Sequence, residues 1–313
     1  MTGLVEFVNA LSVSLLAGAA VHQQLLRKLS ANSDQGQFAS NIRRRRHIIM
    51  FAGLLLFAAS AASRTGTNWV LCLQLLAAVV SCAAVILNRK ANSLPLTALA
   101  FVAVFGLAIC QSLGSHAADE AGALPLLAST LHWAVAACWF GALAHTLLQP
   151  AGSNSSADDP ARQATLSWRY AVLSLAAFAV LAVSGGILAF IHVHNVDALN
   201  STGYGSVLKI KAALLIVLLL VVCASLLRNS PRRTQAANAK HKAAARFRRA
   251  DWLHCGVLAA VLLASALLAA RSPPGFAPFL NPQMWQLSSP DLKLSVEVQP
   301  VSGRPGQIRF RKT

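Results

Sequence analysis

Apolar residues fall in long blocks, broken by short polar or basic stretches, with neither strand alternation nor heptads. A hydrocarbon core about 30 Å thick takes about 20 residues of helix to cross. The blocks predict eight such helices, over residues 5–26, 47–63, 69–87, 94–112, 126–148, 166–191, 207–227 and 252–270. Pro95 falls in the first turn of the fourth, where proline is tolerated. Gly185 and Gly186 in the sixth allow close helix approach. The expected fold class is therefore an all-α polytopic membrane bundle of about eight transmembrane helices. After Arg271, four prolines (Pro273, Pro274, Pro278 and Pro282) stop any helix. The segment LKLSVEVQP then alternates, which predicts one or two strands in a short extracytoplasmic β-like tail. Three regions follow: a four-helix region at 1–112, a second at 113–270, and a tail at 271–313.

Composition agrees with this pattern. The chain is 56% hydrophobic and 12% charged, with a mean hydropathy of +0.55. A soluble domain carries about twice that charged fraction. The net charge of +17 raises the question of nucleic acid. The basic residues gather between the apolar blocks, so orientation in a bilayer explains them and nucleic-acid binding is set aside. Loops 27–46, 88–93, 149–169 and 228–249 hold 6, 2, 2 and 8 Lys and Arg, whereas loops 64–68, 113–124 and 192–205 hold 1, 0 and 0. The positive-inside rule then places both termini, His116, His192 and His194 on the outer side of the membrane. The first block has its basic residues after it and not before it, which predicts a retained helix in place of a cleaved signal.

Several chemistries lack their motifs. There is no phosphate-binding glycine loop, no Ser/His/Asp arrangement and no H-E-x-x-H, so no enzyme activity is expected. The six cysteines show no C-x-x-C and no zinc spacing, and read as small core residues. A contact between Cys72 and Cys110 stays open, because both fall near the same helix ends. Three methionines are too few for a ladder that passes Cu(I) along a pore.

The histidines carry the candidate chemistry. His116, His132, His192 and His194 collect on the outer side, with His132 some way into the fifth helix. Imidazole suits copper above the other divalent metals in the Irving–Williams order. Each ring alone is as well read as solvated or packed; four on one face of a chain with nine point to a metal site. His132, Ala136, Trp139 and Leu143 are spaced to share a helix face. His22, His47, His145 and His254 gather on the inner side, where packing, an inner release site or axial haem ligation remain open. Lys211 stands near the outer end of its helix, where snorkelling and a functional role are both open.

The pieces S-H-A at 115–117, LHWAVAACWFGAL with His132, Trp139 and Gly141, the paired-glycine helix, and STGYGSVLKIKAALL with Tyr204, Gly205 and Lys211 resemble the copper resistance protein D family of bacterial inner-membrane proteins. The likeness runs from about residue 113 to 270. Ala142 stands where the family often has a second glycine. The resemblance implies copper transport across the inner membrane, often discussed as uptake beside a periplasmic copper-binding partner. On that footing His116 and His132 would bind copper and His192 and His194 would capture it. Trp139, Gly141, Tyr204, Gly205 and Lys211 would shape and gate the site. The tail resembles the first strands of a domain fused to some relatives, whose function is not carried over. The alternative reading is a b-type haem subunit for electron transfer, motivated by histidines on several helices at similar depths.

Overall fold

A computed structural model describes residues 2–30, 36–62, 69–88, 93–115, 123–148, 160–193, 196–228, 240–271, 284–289, 292–301 and 304–312. The helices are α1 (Thr2–Ser30), α2 (Gly36–Ala62), α3 (Trp69–Leu87), α4 (Leu94–Leu113), α5 (Ala123–Leu147), α6 (Pro160–His192), α7 (Val196–Ser201), α8 (Gly203–Arg228) and α9 (Lys240–Ala269). Seven of them are long and apolar enough to cross a membrane among the described residues: α1, α3, α4, α5, α6, α8 and α9. The chain is a multi-pass membrane protein. The expected count of about eight differs at α2. Its apolar part, residues 47–62, follows the run Arg43–Arg46 and falls short of the roughly 20 residues a bilayer core needs. The predicted loop at 192–205 holds a further short helix, α7.

α1 and α5 form the centre. α1 packs on α2 and α5, α3 on α4, α5 on α6, and α9 on α8. Lipid tails are as apolar as leucine, so burial of apolar area does not draw membrane helices together; close van der Waals packing does, and small residues permit it. Ala17, Ala19 and Ala20 of α1 and Ala134, Ala137, Ala142 and Ala144 of α5 are all buried. The closest approach is at Gly18 and Gly141. A Cβ on Gly18 would strike the Gly141 backbone, and one on Gly141 would land on the Ser14 carbonyl. Large apolar residues such as Ile216 and Leu220 of α8 and Phe101 and Val102 of α4 face outward, as lipid contact requires.

Polar side chains tie the helices where lipid offers no partner. Asn9 Nδ2 of α1 donates to Gln111 Oε1 of α4 at 3.0 Å, with both residues buried. The end of α3 and the start of α4 are fastened to α1 at the other end. There Gln24 Nε2 donates to Thr97 Oγ1 at 3.0 Å, Asn88 Nδ2 donates to the same oxygen at 2.9 Å, and Gln23 donates to the Asn88 carbonyl. Ser93 caps α4, with Pro95 in its first turn. The six cysteines are all free thiols, so Cys72 and Cys110 are not bonded.

The tail, described by itself, is three antiparallel strands where one or two were expected: β1 (Met284–Ser289), β2 (Leu292–Val301) and β3 (Arg304–Lys312), in the order β1-β2-β3. Trp285 stands opposite Val296, and Val296 opposite Phe310.

Candidate functional site

His132 lies in α5 and meets α6. Its Nδ1 is 3.0 Å from Ser184 Oγ. The Ser184 hydroxyl donates its one proton to the Val180 carbonyl at 2.8 Å, so it accepts from His132 Nδ1–H. That assignment leaves His132 Nε2 as the nitrogen with a lone pair, the form in which imidazole binds a metal. Gly185 makes room for the ring: a Cβ there would sit 3.1 Å from His132 Cε1. Gly186 meets nothing within 4 Å. One glycine of the pair thus serves the histidine directly.

The ring borders a cavity of about 40 Å³, lined also by Trp139, Phe140, Lys211 and Ser265 together with leucines of α6, α8 and α9. The volume exceeds the roughly 10–15 Å³ that one water occupies by the same measure. Trp139 closes it and is 1% exposed. Its Nε1 donates to Ser174 Oγ at 2.8 Å, and Tyr170 donates to the Trp139 carbonyl at 3.2 Å.

Beyond Trp139 lies a second group of imidazoles. His254 of α9 stands edge-on to Trp139 and Tyr170, with ring centroids at 5.8 and 5.5 Å. His22 of α1 and His145 of α5 face each other at 5.6 Å between centroids, with their planes 24° apart. His145 Nε2 is 2.9 Å from the Leu15 carbonyl, which can only accept. The proton is therefore on Nε2, and Nδ1 carries the lone pair. His22 and His145 are 1% and 0% exposed. Among the described residues neither Nδ1 has a hydrogen-bond partner. Arg46, at the start of the apolar part of α2, is buried close to both rings, and its Nε and Nη2 also lack partners there. Burial, followed by the neighbouring Arg43 charge, lowers the Arg46 guanidinium to about 10, so it stays charged at neutral pH.

The two imidazole groups lie along one helix. His132 and His145 are both in α5, about 20 Å apart at 1.5 Å per residue. The spacing of the second pair has a source in the sequence. Gly18 and Gly141 touch, and His22 and His145 each follow four residues later, one turn on and on the same face. The strings GAAVH (18–22) and GALAH (141–145) are the same pattern twice. That repeat was readable, and it is the signal that sequence reasoning passed over.

The expected outer set divides. His116 and His194 lie outside the described residues. His192 is buried at the end of α6, and its Nδ1 donates to the Leu188 carbonyl at 2.7 Å. It does not line the cavity. Ser184, which holds His132, is about 12 Å back along α6. The structure thus brings His132 together with Lys211 and Trp139, and not with His192. Among the described residues no three His, Cys, Asp or Glu side chains converge as metal ligands. Gly141 is a helix contact. Gly205 is another: a Cβ there would meet the Leu199 carbonyl of α7. Tyr204 opens α8 beside it, half-buried.

These features define a helical membrane protein with buried imidazoles spaced along its central helix. Residues 164–268, a segment that holds most of α6, all of α7 and α8 and most of α9, match the family described as copper resistance protein D. The match begins after α5. The copper transport protein CutJ of Bacillus subtilis (strain 168) is 29% identical over 181 residues, which cover 56% of this chain and 30% of that protein. The chain thus spans under a third of the relative's length. No solved structure matches.

Proposed function

We propose that this protein carries copper ions across the bacterial inner membrane, with His132 as the ligand that receives the ion in the cavity. The observation that supports it is the free Nε2 lone pair of an imidazole fixed by Ser184 at a cavity within a membrane bundle. The likeness to a copper resistance family and to a copper transport protein supplies the cargo. The orientation expected from the basic loops puts His132 nearer the outer face, and uptake is the matching direction. The membrane potential, at about 2.3 kcal/mol per charge per 100 mV, then favours inward movement of a cation. Lys211 lines the same cavity and repels a resident cation. A transported ion must bind weakly enough to leave, so this charge keeps the site one of passage and not of storage.

The chain carries out no covalent chemistry in this reading. Both the matching family and the relative are named for copper and neither for haem. His116 and His194 remain proposed capture ligands. The test is cellular copper in cells that depend on this protein. Substituting His132→Ala lowers copper content towards that of cells lacking the protein; unchanged content refutes the role of His132.

A further inference from the structure

We propose that His22 and His145 form a second copper site, a two-coordinate Cu(I) site at the end of the bundle that carries the arginine run. The inference rests on the copper reading above for its metal and on separate residues for its geometry.

Three observations carry it. First, both Nδ1 atoms are buried and lack hydrogen-bond partners among the described residues. A buried polar atom left unpaired costs about 1–3 kcal/mol, so two on neighbouring rings signal a ligand that satisfies both. Second, His145 is held as a metal ligand is held: Nε2–H donates to the Leu15 carbonyl, which fixes the tautomer and the ring and leaves Nδ1 free. Third, the spacing suits one ion between two rings. Two metal–imidazole bonds of about 2 Å each, added to the ring radii, put the centroids about 6 Å apart. The observed separation of 5.6 Å lies within that reach. Among the described residues no third His, Cys, Asp or Glu joins the two rings, and a pair of neutral nitrogens is a donor set that monovalent copper accepts more readily than divalent copper.

Arg46 works against the ion, and this decides what kind of site it is. Its charge lies near both rings with Nε and Nη2 unpartnered among the described residues. A like charge in a partly desolvated site weakens cation binding, so the pair binds loosely and releases readily. The structure supports a relay in α5, from His132 to His145, with Trp139 and His254 between them.

The experiment uses the full chain purified in detergent without oxygen, titrated with Cu(I) against a chromophoric Cu(I) chelator. His145→Gln keeps an amide donor for the Leu15 carbonyl while removing the Nδ1 ligand; His22→Gln removes the other. Each is expected to lose one Cu(I) per chain relative to the unsubstituted protein, with an unchanged metal-free melting temperature. Arg46→Gln removes a buried charge whose Nε and Nη2 lack partners among the described residues, and is expected to tighten the same site roughly tenfold or more. Unchanged stoichiometry in both histidine variants, or unchanged or weaker affinity in Arg46→Gln, overturns the site. The two readings fail separately. If His132→Ala lowers cellular copper while His145→Gln keeps every Cu(I), the transport reading stands and this site falls. If His145→Gln loses one Cu(I) while His132→Ala leaves cellular copper unchanged, the site stands and the His132 route falls.

Discussion

Gly18 and Gly141 meet backbone to backbone where α1 crosses α5, and the pair His22 and His145 sits one turn beyond that contact. The helix contact and the histidine pair are therefore one structural unit. Gly141→Ala puts a methyl group on the Ser14 carbonyl, and α1 must move away. Overpacking of this kind costs about 1–3 kcal/mol. The expected outcome is a lower melting temperature in detergent together with loss of the Cu(I) held between the two rings. Retention of both would show that the glycines do not set the spacing.

Ser184 fixes His132 without touching the cargo. Ser184→Ala removes the acceptor for Nδ1–H and frees the ring to rotate or change tautomer. Loss of one such outer partner typically costs 10–100-fold in metal affinity. Copper uptake is expected to fall at low external copper and to recover at high copper, whereas His132→Ala does not recover. Concentration-dependent uptake by the two variants checks this.

His192 gives the contrasting case. Its Nδ1 is bonded to its own helix, and the ring lies away from the cavity that His132 borders. His192→Ala is expected to leave copper uptake within about twofold of the unsubstituted protein, at a cost of about 1 kcal/mol in stability for the lost hydrogen bond. A fall in uptake as large as that of His132→Ala would return His192 to the binding set.

Asn9 and Gln111 tie α1 to α4 in an apolar interior. Gln111→Leu leaves the Asn9 amide without its partner. Interhelical hydrogen bonds in membranes contribute about 0.6 kcal/mol on average and up to about 1.7. A loss of stability of that size, read as a lower melting temperature, is expected with copper uptake unchanged, since neither residue lines the cavity.

Much of the helical pattern was legible because long apolar blocks have one stable form in a bilayer. α3, α4, α5, α6, α8 and α9 lie where hydropathy put them, with ends extended into polar flanks such as Pro160–Arg169 and Lys240–Asp251. The run Arg43–Arg46 joins a helix instead of a loop, because arginine is a good helix former. The short α7 carries no apolar stripe, and it is seated by Gly205, whose missing side chain admits the Leu199 carbonyl. At the site, His132, Trp139 and Gly141 could be found because they share one helix. The partners Ser184, Ser174 and Gly18 could not be assigned, because each depends on which helix lies beside α5. Hydropathy says nothing of that. The pairing of His22 with His145 was missed for the same reason, although the repeated G-A-x-x-H string offered a clue.

Direct flux through the reconstituted full chain tests the central claim most sharply. Proteoliposomes holding a copper-sensitive dye are given external copper, and the rate of dye response is compared for the unsubstituted protein, His132→Ala and protein-free vesicles. The result expected is copper movement with the unsubstituted protein and a rate for His132→Ala close to that of protein-free vesicles. Equal flux through the unsubstituted protein and His132→Ala would contradict the proposal that copper passes by way of this imidazole.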